Sequence, residues 1–278
     1  MTFWSHLKRR LHQSSSKPDL INRLSQFSHH EEQIGAYFGG RTRFTGKAQE
    51  FDYPLYVMAF VNRSGSNLLG EYLRKTDRFR GFRESLNHQV VLEMSARGGY
   101  ESFPDYMRHL SRDAAGRNRP LGVKASWEQL MMLMRWRIHK MYPAVRVLHI
   151  RRKDTVGQAV SHAIAKQTGQ WTSNTAATSK RAPIFNADQI DSFAEAAVFS
   201  DWAISHVCTI FDLHRHMVCY EDMVSDPRQV MAQIGDFAGV DFSEWTPPRT
   251  ALSKQRGVLN EEFRSRYIAQ MKKRLRVE

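Results

Sequence analysis

An apolar run, Tyr56-Val57-Met58-Ala59-Phe60-Val61, breaks at the polar turn Asn62-Arg63-Ser64-Gly65-Ser66-Asn67, and a helical pattern (Leu68, Leu69, Tyr72, Leu73) follows at once. A strand running so directly into a helix has the build of an anion cradle. The free N–H groups of the helix start, with the positive end of its dipole, face whatever sits in the turn. Arg63 adds a permanent cation, and Ser64 and Ser66 add hydroxyl donors. The plain alternative is an ordinary strand-to-helix turn with solvated polar residues. The chain has no G-x-x-x-x-G-K-[ST] run and no glycine-rich dinucleotide fingerprint. Neither the ATP/GTP loop nor the dinucleotide reading is supported.

Three further segments repeat the pattern of a strand ending in charged or polar residues. Val145-Arg146-Val147-Leu148-His149-Ile150 is β-branched and runs into Arg151-Arg152-Lys153-Asp154, then a helix through Ser161. Asp154 is suited to cap that helix, and Gln158 and Ser161 share a face with its start. Leu121-Gly122-Val123-Lys124-Ala125-Ser126-Trp127 places Lys124 near the end of another strand. Val218-Cys219-Tyr220-Glu221-Asp222-Met223 runs into an acidic turn, and Asp226-Pro227 caps and opens the next helix. From Leu55 onward strands alternate with helices, which predicts an α/β domain with a mostly parallel sheet covered on both faces. Ligands of such sheets collect beyond the strand C-termini, where Arg63, Lys124 and Arg152 all fall.

Taken in order, these segments resemble the sulfotransferases, whose fold is P-loop-NTPase-like and whose sulfuryl donor is 3′-phosphoadenosine 5′-phosphosulfate (PAPS). The turn Arg63-Ser64-Gly65-Ser66-Asn67 resembles their 5′-phosphosulfate loop. Most members carry Lys at the place of Arg63, whereas the bacterial carbohydrate-sulfating branch carries Arg. The resemblance implies that Arg152 and Ser161 grip the 3′-phosphate, that Lys124 approaches the sulfuryl group, and that Tyr220-Glu221-Asp222 is structural. Gln167-Thr168-Gly169-Gln170-Trp171 and Arg266-Tyr267 are fainter echoes, so the likeness spans Tyr53 to Tyr267. It is closest to enzymes sulfating trehalose, Nod factors and related glycans, which implies a carbohydrate or glycolipid acceptor.

An attacking hydroxyl needs a proton acceptor. The cytosolic animal branch has His two residues after the lysine; here that place is Ser126, which cannot serve. The bacterial trehalose branch uses a Glu shortly after the first helix, and Glu84 in Gly81-Phe82-Arg83-Glu84-Ser85-Leu86 stands at that distance. The context departs from the branch's Pro-x-Glu-aromatic pattern at Phe82 and Ser85. His88 is the reserve candidate, and a surface ion pair of Glu84 with Arg83 or Arg80 is the plain alternative. The sulfuryl group carries less charge than a phosphoryl, so no metal is expected. Cys208 and Cys219 lack zinc spacing, and His29-His30 and His214/His216 form no H-E-x-x-H pattern, reading instead as solvated helix surface.

Composition enters last. The chain of 278 residues can hold one α/β domain with additions, and its 41 Lys and Arg against 28 Asp and Glu give a net charge of +13. The excess is dispersed and lacks a nucleic-acid-binding signature, so a multiply anionic ligand captured by electrostatic steering explains part of it. We expect a basic N-terminal extension, residues 1–50, with a linker at Ser14-Ser15-Ser16-Lys17-Pro18, and a sulfotransferase domain over residues 51–278 ending in a basic helix. Met1–Gln13 suits either docking on its own domain, a frayed end, or peripheral contact with an anionic surface such as the inner membrane. With two isolated cysteines and no apolar run of span length, the expected location is cytoplasmic. Gln167–Asn186 reads as a lid or binding loop, and Trp127 and Trp171 as core or sugar-stacking aromatics. Two rival functions stand beside sulfuryl transfer: a nucleotide or sugar kinase with a degenerate phosphate loop, and a basic non-catalytic nucleic-acid or membrane-surface binder.

Overall fold

The computed structural model describes residues 20–112, 118–171, 181–248 and 257–277. Met1–Gln13, the serine linker and residues 172–180 of the long loop lie outside them. Five strands, β1 (Leu55–Phe60), β2 (Arg80–Arg83), β3 (Leu121–Ala125), β4 (Val145–Arg151) and β5 (His214–Cys219), form one sheet in the order β2-β3-β1-β4-β5. Every adjacent pair is parallel. The first strand therefore lies in the middle, with the chain winding away to one side through β2 and β3 and to the other through β4 and β5. In sheets of this order ligands bind outside the C-terminal ends of the strands at such a switch point, here beyond β1.

Alternation along the strands divides the core. Leu55, Val57 and Ala59 face one side of the sheet, with Val123, Val145 and Val147. There they meet α4 (His88–Gly98), α5 (Phe103–Ser111), α6 (Trp127–Arg135) and α8 (Ala187–Ile210). Tyr56, Met58, Leu148, Ile150 and Val218 face the other side, against α3 (Ser66–Lys75) and α10 (Pro227–Ala238). Burying both faces is what lets the strands be near-continuously apolar. Phe103, Tyr106 and Met107 are buried along α5, and Ser102 caps that helix by accepting from the Asp105 N–H.

The first described elements, α1 (Leu20–Ser25) and α2 (His29–Tyr37), bring Leu24 and Ile34 into the same core as β1 and β3, with Phe38 and Phe44 beside them. Residue 50 therefore does not separate two hydrophobic cores. The chain ends on α7 (Thr155–Thr168) packed by α11 (Val258–Leu275), where Phe263 and Tyr267 cover Ala159, Val160 and Ala163. The acidic turn expected after β5 is a short helix, α9 (Tyr220–Ser225), and Asp226 then caps α10 by accepting from Gln229 N–H. Among the described residues no helix is long and apolar enough to cross a membrane.

Candidate active site

The turn after β1 is held open by its glycine. Gly65, at φ 91°, is the N-cap of α3 and has no side chain with which to cap it. The start of α3 is thus left without a side-chain cap, while the Leu68 N–H donates to Gly65 O at 3.0 Å. A Cβ at this position would collide with the ring of Tyr220. Arg63 also lies in the left-handed region, at φ 65°, which a non-glycine residue rarely adopts without a local reason. Ser64 is fully buried, and its Oγ has no hydrogen-bond partner among the described residues. A buried hydroxyl left without a partner is costly, and this one sits in the turn between β1 and α3. Gln158 of α7 holds the turn from beneath, donating to Asn62 O at 2.8 Å.

Tyr220 does more than fill space. The Arg152 guanidinium lies over its ring at 4.8 Å, a cation–π contact that orients it. Arg152 also donates to Arg63 O at 3.3 Å. Glu221, next in sequence, accepts from the backbone N–H groups of Lys153 and Asp154 at 3.0 and 3.4 Å, fixing the turn that carries Arg152. Asp154 caps α7 as expected, accepting from Gly157 N–H at 2.8 Å. Arg63 reaches across this group and donates to Ser161 Oγ at 2.9 Å and to Trp171 O at 2.5 Å. The cation expected at the 5′ end therefore touches the hydroxyl expected at the 3′ end. Burial, and then the neighbouring Arg152, pull Arg63 below its ordinary pKa.

On the other side of the loop, Lys124 donates to Asn67 Oδ1 at 2.6 Å and to Glu84 Oε1 at 2.7 Å. The Lys124 side chain is 3% exposed and Glu84 is 54% exposed, so the carboxylate faces the entrance while the ammonium lies below it. The Phe60 ring stands 4.7 Å beneath the ammonium. Burial lowers the Lys124 pKa, and Glu84 opposes that shift. Glu84 is aimed by an irregular β2. Register shifts between Gly81 and Arg83, with Gly81 at φ 82° and Phe82 at φ 49°. The fully buried Phe82 ring covers Gly122, where a Cβ would come within 2.6 Å of it. The departure from the Pro-x-Glu pattern is therefore a bulge with its aromatic turned into the core.

The residues named from sequence thus form two neighbouring groups around one turn: Glu84, Lys124 and Asn67 on one side, Arg63, Arg152 and Ser161 on the other. Tyr220 and Glu221 support Arg152 and the turn that carries it, the structural part expected of that segment. Two features escaped the reading from sequence. Asn67 is a lysine partner as well as a loop residue. His30, expected on a solvated surface, is instead half-buried against His88, their Nδ1 atoms 2.8 Å apart, with the His29 ring 4.8 Å from that of His88. Among the described residues no group of three His, Cys, Asp or Glu is arranged to hold a metal ion. Trp127 packs edge-on against Phe199 in the core rim, and Trp171 is 41% exposed.

The fold is an α/β domain whose parallel sheet carries an uncapped helix start at its switch point. The family model of the Stf0 sulphotransferases matches residues 55–270, and the chain belongs to that family. It is a sulfotransferase, which sets aside the kinase and the non-catalytic binder. No curated protein matches the chain. Solved structures similar to it include the sulfotransferase domain from the curacin biosynthetic pathway, at 15% identity, covering 76% of this chain and 83% of that one with a TM-score of 0.44. The sulfotransferase from Alicyclobacillus acidocaldarius is 14% identical, with 81% and 96% covered and a TM-score of 0.43. Sulfotransferase STF9 from Mycobacterium avium is 12% identical, with 96% and 86% covered and a TM-score of 0.44.

Proposed function

We propose that this enzyme transfers the sulfuryl group of PAPS to a hydroxyl of a carbohydrate or glycolipid, with Glu84 as general base. The observation that carries the reading is the Lys124 bridge between Glu84 and Asn67, which ties the base to the anion loop. The donor, when bound, supplies an activated sulfuryl group on a phosphate leaving group. The orphaned Ser64 hydroxyl and uncapped α3 fit its 5′ end, and Arg152 with Ser161 fits its 3′-phosphate by the planar fork of the guanidinium.

The chain's residues then act by charge and position. Glu84 accepts the proton of the attacking hydroxyl as the new O–S bond forms, and the electron pair of the breaking S–O bond passes to the departing phosphate oxygen. Lys124, Arg63 and the Ser66 and Asn67 N–H groups face the charge that grows there, so they stabilise the transition state more than the ground state. As Glu84 takes up the proton it loses its hold on Lys124, and the ammonium is freed to follow the leaving oxygen. Sulfuryl transfer of this kind needs no metal. The donor is made in the cytoplasm, which is where this reading puts the enzyme.

Calorimetry with the product, 3′-phosphoadenosine 5′-phosphate, tests the donor half: wild-type protein binds it, and absence of binding removes the reading. Transfer of labelled sulfate into a cell extract, followed by mass spectrometry, identifies the acceptor. A labelled peptide or phenol in place of a sugar would overturn the carbohydrate assignment.

A further inference from the structure

The turn that carries Glu84 is tied down at three points. Ser85 O accepts from the Tyr106 hydroxyl at 2.7 Å, and Leu86 O accepts from Gln129 Nε2 at 2.9 Å. The third tie is His88, the first residue of α4, whose backbone N–H donates to His30 Nδ1 at 3.2 Å. The His88 ring nitrogen Nδ1 lies 2.8 Å from the same atom. These contacts assign both tautomers. A nitrogen that accepts a backbone N–H carries no proton, so His30 is neutral with its proton on Nε2. His88 must then donate through Nδ1–H. Asn87, between the two sites, closes the turn by donating its N–H to Glu84 O at 3.1 Å.

Of the three ties, only this one involves an imidazole, whose unperturbed pKa lies near neutrality. Gln129 does not ionise, and burial pushes the Tyr106 phenol well above its usual range. We propose that His30 is a positioning residue for the base: unprotonated, it clamps His88 and fixes the Glu84 turn, and on gaining a proton it releases the His88 backbone N–H. The inference rests on the reading of Glu84 as base. An imidazolium has no lone pair on Nδ1, so protonation turns the acceptor of the His88 backbone N–H into a donor facing that donor, whichever tautomer the His88 ring takes. The groups acting on His30 are His29 from its own helix, His88 from α4 and Glu84 from the turn. Arg135 of α6 is occupied by Glu31 at 2.9 Å. Burial, then His88 and His29, favour the neutral ring, and Glu84 opposes them.

The full-length protein tests this in two ways. Long-range 15N–1H correlation spectra at about pH 7.5 are expected to show His30 bare at Nδ1 and His88 protonated there. The opposite pattern for His30 overturns the clamp whether or not the enzyme turns over. In kinetics, His30→Ala is expected to lower kcat about 10-fold with unchanged affinity for 3′-phosphoadenosine 5′-phosphate. His30→Gln, which accepts but cannot titrate, restores most of the rate and moves the acid limb of kcat to lower pH. An acid limb superimposable on the wild type's would sink the proposal. A Glu84→Gln variant with full turnover would instead sink the base assignment while the spectra still decide the clamp.

Discussion

Lys124 Nζ stands 2.7 Å from Glu84 Oε1, joining a side chain that is 3% exposed to one that is 54% exposed. An ammonium buried this far needs an anion or several acceptors to remain charged. Asn67 Oδ1 and the Phe60 face supply part of that need, and Glu84 supplies the charge. The pair is thus buried at the lysine and open to solvent at the carboxylate.

Glu84→Gln keeps the shape and the contact to Lys124 through its amide oxygen but removes the proton acceptor. Turnover is expected to fall ~100-fold or more, with affinity for 3′-phosphoadenosine 5′-phosphate unchanged by calorimetry. A rate within a factor of about two of wild type would pass the role to His88.

Arg152→Ala removes the guanidinium that lies over Tyr220 and beside Ser161's partner Arg63. Charge-assisted bonds to a phosphate contribute about 1.5–3 kcal/mol. The bisphosphorylated nucleotide should therefore bind roughly 10- to 100-fold more weakly, while adenosine, lacking both phosphates, should bind the variant and the wild type alike.

Gly65→Ala asks an L-residue to hold φ 91° and sets a methyl into the Tyr220 ring. Strain of this kind costs about 1–3 kcal/mol. Chemical denaturation should show that loss, and nucleotide binding should weaken with it, since the loop must shift to clear the ring. Full affinity in a destabilised variant would mean the loop conformation is irrelevant to the ligand.

Much of this site was legible because its signals are local. A strand, a glycine turn and a helix lie within one short segment, and Lys124 and Arg152 each sit where a strand runs out. The parallel sheet followed from alternating periods for the same reason. What sequence could not give are contacts between distant segments. Tyr220 beneath Gly65 depends on β5 ending beside β4, and the His30–His88 bond joins residues 58 apart in sequence. A surface reading of His30 failed because helix periodicity says nothing about which neighbour covers it. Phe82 is a third kind of case: only the bulge at φ 49° turns its ring inward, and a non-glycine residue gives no sequence warning of a left-handed backbone.

His162 provides a stability test that is independent of turnover. Its ring stacks on Phe193 at 4.0 Å between centroids, and the Trp171 ring meets it edge-on at 5.8 Å. Burial foremost, then Arg63 and Lys166, lower its pKa from 6.5 to about 4. The unfolded chain therefore takes up this proton at a higher pH than the folded one does. Stability from the neutral ring is complete above the unfolded value and drains away as pH falls from 6.5 toward about 4. The ceiling for such a shift is about 3 kcal/mol, and partial exposure of the ring reduces it to about 1–2 kcal/mol. His162→Phe keeps the stack and cannot titrate. Thermal melts at about pH 7.5 and about pH 5 should show a smaller drop for the variant than for the wild type. Equal drops would mean that Arg63 and the aromatic stack do not hold this imidazole neutral.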